Sequence, residues 1–551
     1  MRPRLAGLAF TATLTLAGAA VWAQAEADRQ LDAAIERLRA ALGPDARITI
    51  GSRQVDPVTG RARLGNVTVS EAGRILSIGE LWVQELAAGR LGRAEARGLR
   101  LEENKNEVTE AGRLLVAGLP LPPPGTALDP ASIGFDTFEL EGLVSSKPGQ
   151  GSFRLGRIAA RGYVPARGTA PGTLASGNIE GLQLDSLTPD TPSVRLGRMA
   201  ATEIAFPDPQ ATNPDPRAFR AAALTIEGMA MTDPARNTDL ALPRAALRDW
   251  LPGRRTELSV EGLNLAAEFG QLGPGRLQLG RLAVSGLDGA STLAAVMDGV
   301  QPPDPAPGVP QTVALEGLVM EAGGSPLFSL GRVAAEGTLG TTGRATGAVL
   351  VEGFRASLPR GAAPPLEGMG FREIAGGMEL RGEGPRAGGP LSISPWRIQW
   401  NDAGALTLQA DLDNLPAVPA GAPLSTDRTA EYLKARLVGL TLRWQDQGLF
   451  GRALSQQARQ QRIPEARLRE QWAQMALAMP IPGAPPGAAK GPAADPFAPM
   501  RQAIAAFIRQ PGAIEVTLRP TTPIAFGAMA DLGAAGPAGA AQRLGLAVRV
   551  P

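Results

Sequence analysis

The chain has 551 residues, of which 44% are apolar, 20% are charged and 4% are aromatic. It contains no histidine and no cysteine, which excludes disulfides, thiolate or imidazole metal ligands, and a nucleophile activated by histidine. The 55 basic and 53 acidic residues give a net charge of +2 and are interleaved, so we expect no nucleic-acid partner. The 68 glycines and 49 prolines predict a globular protein with many turns.

The N-terminus has the three parts of an export signal. Arg2 and Arg4 precede an apolar segment at residues 5–22, and the sequence Ala-Gln-Ala at 23–25 has the small residues of a cleavage site. The apolar segment has 18 residues, which is also enough for an uncleaved membrane anchor. Residues 1–25 are therefore predicted to be a signal peptide or an anchor. We expect the protein to be periplasmic, and to be associated with the inner membrane only if this segment is retained.

Residues 26–125 are predicted to hold one helix followed by strands. In the helix, apolar residues recur every three or four positions until Gly43 ends the pattern. These apolar positions are Leu31, Ile35, Leu38 and Leu42. After Ile48 the period becomes two, which is typical of strands. This alternation places Leu64 and Thr68 on one face and Val67 and Val69 on the other.

Residues 126–424 repeat two short motifs. Glu-Gly followed by an apolar residue recurs with its glycine at 142, 181, 228, 262, 317 and 353. Leu-Gly-Arg recurs with its glycine at 156, 197, 280 and 331. Paired glycines are 14, 16, 18 and 14 residues apart, and an even separation suits strands, whose side chains alternate with a period of two. Each pair therefore predicts a β-hairpin in which glycine marks a bulge or close backbone contact and arginine lies on a solvated face.

Two further segments are predicted from their apolar residues. Trp396, Ile398 and Trp400 lie on one face of a strand and are expected to anchor a core, with ligand stacking as the alternative. Residues 425–551 form an α+β region, in which a strand ends in a turn at Asp446, two helices follow, and a third helix precedes a closing strand. One face of the second helix is predicted to carry Leu468, Trp472, Met475 and Met479.

The sequence contains no nucleophile elbow, phosphate-binding loop or zinc-protease motif. The acidic run at 411–414 begins like a calcium loop, but Pro416 stands where such a loop needs glycine, and no glutamate closes it. We therefore predict no catalytic residue, no cofactor-binding residue and no metal ligand, and we expect a protein that is not an enzyme. A hydrolase with two facing carboxylates is the remaining enzymatic hypothesis.

Several segments near the N-terminus carry a family resemblance. They are 55–61 (Val-Asp-Pro-Val-Thr-Gly-Arg), 64–69 (Leu-Gly-Asn-Val-Thr-Val), 78–83 (Ile-Gly-Glu-Leu-Trp-Val), 89–91 (Gly-Arg-Leu) and 96–101 (Ala-Arg-Gly-Leu-Arg-Leu). The series resembles the N-terminal part of the AsmA/TamB-like bacterial envelope proteins. This resemblance implies a layered β structure and a role in outer-membrane assembly or in moving lipid along an apolar groove. The segments 444–452 and 507–523 resemble uncharacterised exported proteins of alphaproteobacteria, from which no functional residue is carried over.

The predicted fold is mainly β, with repeated antiparallel hairpins in a layered or elongated sheet, an N-terminal helix and a small helical C-terminal region. The hydrophobic sides of the central hairpins are expected to close on one another. The predicted function is that of a non-enzymatic exported envelope protein, acting as a structural scaffold or lipid-groove component in outer-membrane assembly or lipid homeostasis. Its expected partners are lipid or envelope proteins. The alternative is a soluble periplasmic binding or adaptor module that acts through residues 425–551.

Overall fold

The computed structural model describes residues 47–551 with breaks at 57–60, 72–73, 88–89, 104–106, 121–132, 148, 150, 168–169, 187, 189–190, 209–214, 426 and 480–496. The chain divides into two units, the first ending at Glu268 and the second beginning at Phe269. Both are built mainly of antiparallel strands, which confirms the predicted β class. The predicted signal or anchor at 1–25 and the N-terminal helix lie outside the described residues. The domain boundaries predicted at 125 and 424 stay predictions.

The described residues of the first unit form twelve strands, and each strand pairs antiparallel with the next one in the chain. The strands are β1 (Arg47–Asp56), β2 (Arg61–Glu71), β3 (Arg74–Ala87), β4 (Arg90–Glu103), β5 (Glu107–Pro120), β6 (Phe135–Lys147), β7 (Gly151–Val164), β8 (Gly172–Ser186), β9 (Ser193–Phe206), β10 (Arg220–Asp233), β11 (Thr238–Trp250) and β12 (Thr256–Glu268). Short 3-10 turns at Pro216–Ala218 and Pro234–Arg236 flank β10.

In the second unit, each strand from β13 to β20 pairs antiparallel with the next one, β22 also pairs with β20, and β23 pairs with β21. Its strands are β13 (Pro274–Leu287), β14 (Pro310–Ala322), β15 (Ser325–Leu339), β16 (Arg344–Ser357), β17 (Glu373–Pro385), β18 (Gly389–Trp400), β19 (Gly404–Leu415), β20 (Arg436–Asp446), β21 (Ala513–Leu518), β22 (Ile524–Ala525) and β23 (Ala547–Arg549). Its helices are α1 (Gly289–Met297), α2 (Pro364–Gly368), α3 (Thr429–Tyr432), α4 (Leu449–Gln461), α5 (Glu465–Ala478), α6 (Ala498–Arg509) and α7 (Gly536–Leu544), with 3-10 helices at Gly270–Leu272 and Phe526–Leu532.

The repeated glycines face one another across neighbouring strands. Gly317 has φ +64°, and a Cβ added to it would lie 3.6 Å from Cα of Gly280. This left-handed conformation, which glycine adopts without strain, therefore coincides with a close backbone contact. The same arrangement pairs Gly98 with Gly79, Gly142 with Gly112, Gly181 with Gly156, Gly228 with Gly197, Gly353 with Gly331, and Gly262 with Pro243. We call this set the glycine row.

The register confirms the predicted hairpins. Glu141 and Leu143 lie opposite Arg157 and Leu155, so the intervening Gly142 and Gly156 face each other across β6 and β7. The pairs 181/197 and 317/331 are opposite in the same way. Gly262 and Gly280 belong to different units.

A row of charged residues lies beside the glycine row. Arg198 is opposite Glu180 on one side and Glu227 on the other, and opposite charges across strands stabilise a sheet by about 0.2–1 kcal/mol per pair. In the first unit, the charge row is Glu80, Arg97, Arg113, Glu141, Arg157, Glu180, Arg198, Glu227, Arg244 and Glu261. In the second unit, it is Arg281, Glu316, Arg332 and Glu352. The arginines of the Leu-Gly-Arg motifs thus face glutamates of the Glu-Gly motifs.

The strict alternation predicted for β2 is wrong. Leu64, Val67 and Val69 are all buried on the same side, whereas Thr68 between the two valines is only partly buried. Asn66 adopts the left-handed conformation with φ +51°, so the alternation skips one residue at this point. The same step of three separates Ile78 from Leu81 in β3, both of which are buried.

Tightly buried side chains are concentrated in two places. Strands β1–β6 share one hydrophobic cluster, which includes Leu64, Leu81 and Leu114. Helices α4–α6 hold two smaller clusters around Leu454 and Ala505. Among the described residues, no hydrophobic cluster of buried residues includes a side chain from β7–β23. The expectation that the central hairpins close on one another stays a prediction.

The glycine row gives a stability prediction. Gly317→Ala should destabilise the protein by about 1–2 kcal/mol, because alanine is strained in the left-handed conformation. Gly337→Ala in β15 is the matched control, because Gly337 lacks a positive φ and its added Cβ would lie 3.8 Å from the nearest atom, a backbone oxygen. Urea denaturation followed by circular dichroism measures both variants. Equal midpoints for the two would contradict this role of the glycine row.

Candidate functional site

An apolar row runs along each unit on the other side of the charge row from the glycines. In β10, Ile226 directly precedes Glu227 and lies opposite Met199 of β9 and Ala245 of β11. The row of the first unit is Leu64, Leu81, Ala96, Leu114, Leu140, Ile158, Ile179, Met199, Ile226, Ala245 and Val260. Every strand from β2 to β12 contributes one residue, so the row is uninterrupted across eleven strands.

The burial of this row changes along the sheet while its chemistry does not. Leu64 and Leu81 are fully buried, as are Ala96 and Leu114 to within a few per cent. From Leu140 of β6 onward, every member is only partly buried. Because aliphatic side chains gain free energy by leaving water, the row from β6 to β12 is a surface that another apolar group can cover.

The second unit has an equivalent apolar row. It consists of Leu282, Leu315, Val333, Val351, Met378, Ile398, Leu406, Trp444 and Ile514, one from each strand of β13–β21. All nine residues are partly buried. The two units therefore present the same feature, a continuous apolar row, and in the second unit alternating charges lie beside it from β13 to β16.

A depression of about 660 Å³ lies on the apolar side of the second unit. It is at the edge of the sheet where β15, β17 and β19 end and β16 and β18 begin. Val349 lines it between Ala335 and Leu380, its neighbours on adjacent strands. Arg386 also lines it and forms an ion pair with Asp304, with Nη2 to Oδ1 at 2.6 Å. This depression provides an apolar floor with a charged group at one side.

The tryptophan hairpin has the predicted geometry. Trp396, Ile398 and Trp400 lie opposite alternate residues of β19, so the three share one face as predicted. The ring centroid of Trp400 is 6.2 Å from that of Trp444, and Trp396 remains 39% exposed. Trp400 thus packs against a second aromatic side chain, and Trp396 offers an open apolar surface.

The helices of the C-terminal region follow the prediction in their positions but not in their buried face. Asp446 accepts hydrogen bonds from the backbone N–H of Gly448 at 3.1 Å and of Phe450 at 2.9 Å, which confirms its turn-and-cap role. In α5, Leu468 is buried, but Met475 is 62% exposed and Met479, just beyond the helix, is 50% exposed.

The predicted stripe is confirmed for Leu468 and Trp472, which pack in the cluster around Leu454. It is wrong for Met475 and Met479, because the contact between α5 and α6 is made by small residues. Ala473 and Ala476 of α5 and Ala505 of α6 form a buried cluster. Alanine allows two helices to approach closely, yet it gives a weaker hydrophobic signal than methionine in the sequence. For this reason the sequence pattern predicted that the methionines, and not the alanines, form the buried face of α5.

The acidic residues considered as calcium ligands have other partners. Asp413 forms an ion pair with Arg436, and Asp411 accepts a hydrogen bond from Ser392 Oγ at 2.8 Å. The part of the chain described by the structure contains no group of three or more acidic side chains that could hold a metal ion. Within the described ranges, no helix is long and apolar enough to cross a membrane.

The contact between α5 and α6 gives a pH prediction. The Glu470 carboxylate accepts two hydrogen bonds from Arg509, at 2.8 and 3.0 Å, and one from Gln474 at 2.7 Å. Together, the bonds from Arg509 and then from Gln474 lower the pKa of Glu470 from 4.5 to about 2. A lowered pKa means that the contact stabilises the fold above pH 4.5 and that this contribution is lost as the pH falls towards 2.

Glu470→Gln should accordingly lower the melting temperature at pH 7, and its difference from the wild type should shrink as the pH falls to about 2. Thermal melts of both proteins across this pH range measure the effect. A difference that is independent of pH would show that the ionised carboxylate is not responsible.

Comparisons with known proteins concern the C-terminal part of the chain. A protein-family model described as "Uncharacterized protein" matches residues 397–550, which run from the last four residues of β18 through β19 and helices α4–α6. No curated protein matches the chain.

Proposed function

We propose that this protein is a non-enzymatic exported envelope protein whose apolar rows bind the acyl chains of lipids. The observation that carries the proposal is the change in burial along one row. The same aliphatic chemistry is enclosed at Leu64 and Leu81 but partly open from Leu140 to Val260. An enclosed core needs no further occupant, whereas a partly open row gains free energy when an apolar ligand covers it.

The composition of the rows favours an acyl chain. Between β6 and β12 the members are aliphatic side chains and methionine, with no charge and no hydrogen-bonding side chain to fix one orientation. Strands are about 4.8 Å apart, so β7–β12 span about 24 Å, which exceeds the roughly 15 Å thickness of one leaflet's hydrocarbon. The row can therefore support a whole extended chain.

The expected affinity of such a row is low. Burying one methylene contributes about 0.8 kcal/mol, so half-burying about ten of them contributes about 4 kcal/mol, which corresponds to millimolar binding. Weak and uniform contacts allow a chain to slide from strand to strand. This behaviour suits a protein that conducts or shelters lipid better than one that stores it.

The sequence supports the cellular setting of this proposal. Residues 1–25 have the pattern of an export signal or anchor, and residues 45–103 resemble AsmA/TamB-like envelope proteins. The favoured role is thus in outer-membrane assembly or lipid homeostasis, with lipid as the partner and a layered or elongated sheet as the surface.

A second candidate is an adaptor that binds an envelope protein through the C-terminal region. The specific observation in its favour is the exposure of Met475 in α5 and Met479 just beyond it, because flexible methionines are common on protein-binding surfaces. Met475→Gln and Met479→Gln together should abolish a photo-crosslink from Gln474 to an envelope protein in cells. If Gln474 gives the same crosslinked product with and without these changes, the methionines are not the contact.

The acyl-chain proposal is tested by site-specific photo-crosslinking. A photo-reactive amino acid at Ile226 should crosslink to phospholipid acyl chains in cells, because Ile226 belongs to the apolar row. Thr225 is the matched control: it is the preceding residue of the same strand, is also partly buried, and points to the opposite face. The crosslinked lipid is identified by mass spectrometry after proteolysis.

We expect lipid to crosslink to the photo-reactive residue at position Ile226 but not to the one at position Thr225. Equal labelling of the two positions would indicate non-specific contact with membrane. Labelling of Ile226 by protein alone would contradict the proposal.

A further inference from the structure

An arginine-rich pocket lies on the charged face of the first unit, away from the apolar row. It has a volume of about 310 Å³ and is formed by β2–β4. Its lining includes Arg61, Arg93 and Arg97, together with Glu95 and Trp82. We call this site the arginine pocket. Three guanidinium groups and one carboxylate leave it with two surplus positive charges.

Glu95 is the common partner of the basic groups. Its carboxylate accepts hydrogen bonds from Arg97 at 2.9 Å, from Arg113 at 3.0 Å and from Arg93 at 3.3 Å, and its side chain is 13% exposed. Burial opposes its ionisation, but the hydrogen bonds from Arg113 and Arg97 outweigh burial and lower the pKa of Glu95. The carboxylate is thus ionised at neutral pH, and it bonds Arg93 and Arg97 of the pocket as well as Arg113 outside it.

The charge row departs from its alternation at the same place. Arg97 lies opposite Arg113, whereas every later member in this unit faces a residue of opposite charge. Two like charges across a strand pair destabilise a sheet. The alternation of the charge row therefore changes phase between β4 and β5, and the two facing arginines share Glu95 as a hydrogen-bond acceptor.

Trp82 provides the apolar wall of the pocket. Its indole is 37% exposed, the Arg63 guanidinium carbon lies 4.7 Å from its ring centroid, and its Nε1 donates to Glu80 at 3.3 Å. The indole is therefore held in place by Arg63 of the neighbouring strand β2 and by Glu80 of its own strand. An exposed aromatic ring beside arginines is suited to a ligand that carries both an anionic group and an apolar or sugar part.

We propose that the arginine pocket binds a phosphate group. Guanidinium groups donate paired hydrogen bonds to phosphate oxygens, and the surplus of two positive charges matches the charge of a phosphate monoester. Arg93 and Arg97 contact the phosphate, and Glu95 holds them in position while competing for their donors. The phosphate belongs to a lipid headgroup or to a soluble phosphate ester, and the experiment separates these sources.

The probe is inorganic phosphate at low ionic strength, measured by calorimetry on the full chain. The wild type should bind it saturably, and Arg93→Gln with Arg97→Gln should weaken binding by about tenfold or more. The matched control is Arg195→Gln with Arg248→Gln, which removes two exposed arginines from strands β9 and β11 and should leave binding unchanged.

Glu95→Gln tests the proposal in the opposite direction. Removing the competing carboxylate should tighten phosphate binding and increase the rise in melting temperature that phosphate causes. A purely structural role for the cluster predicts weaker or unchanged binding in this variant. Circular dichroism establishes that each variant is folded.

Vesicles distinguish the two sources of phosphate. If phosphatidylglycerol vesicles bind the wild type, and both inorganic phosphate and the Arg93/Arg97 double change reduce that binding, the ligand is a lipid headgroup. Binding of inorganic phosphate without vesicle binding assigns a soluble phosphate ester. The proposal is overturned if the wild type shows no saturable phosphate binding. It is also overturned if the Arg195/Arg248 control variant loses as much phosphate affinity as the Arg93/Arg97 variant, or if Glu95→Gln does not increase phosphate affinity.

Discussion

The fold depends on one backbone contact that recurs from hairpin to hairpin. A left-handed glycine such as Gly181 lies in van der Waals contact with a glycine such as Gly156, where an added Cβ would come within 3.0 Å of the Glu180 carbonyl oxygen. Because neighbouring strands are joined by hydrogen bonds, a local break in one strand must be matched in the next if their register is to continue. The facing glycines supply that match, and the residues beside them then fall into rows.

The rows explain why one sheet face is apolar and the other charged. Each motif places two residues, a glycine and a charged residue, between two apolar residues that share a face, as Leu315 and Leu318 do around Glu316-Gly317. In a regular strand, residues three apart would lie on opposite faces. The break therefore keeps the apolar side chains together and directs glutamate and arginine to the other side, where they pair across strands.

Much of this architecture could be predicted from the sequence. The motif spacing identified the hairpins, and the alternation of Trp396, Ile398 and Trp400 identified their shared face. The face of Val67 was missed because a period of two does not register the left-handed residue before it. The opposite placement of Glu180 and Arg198 was also beyond the sequence, because register is a property of two strands together.

The open apolar rows could not be predicted for a different reason. Leu114 and Leu140 occupy equivalent positions and have the same side chain, yet one is buried and the other is partly open. Exposure depends on what packs over a strand, and nothing in either residue's local sequence encodes it. The arginine pocket was missed likewise, since Arg93, Arg97 and Arg113 converge on Glu95 only after two strands are folded together.

The left-handed residues next to the charge row occur on alternate strands, at Asn66, Gly98, Gly142, Gly181, Gly228 and Gly262 in the first unit and at Gly317 and Gly353 in the second. The smallest module that leaves its neighbours undisturbed is therefore a pair of strands. Inserting or deleting a single strand would set glutamate against glutamate and put two left-handed breaks side by side. A protein built in this way can lengthen or shorten its apolar track by increments of two strands, about 10 Å, while keeping every contact of the strands that flank the change.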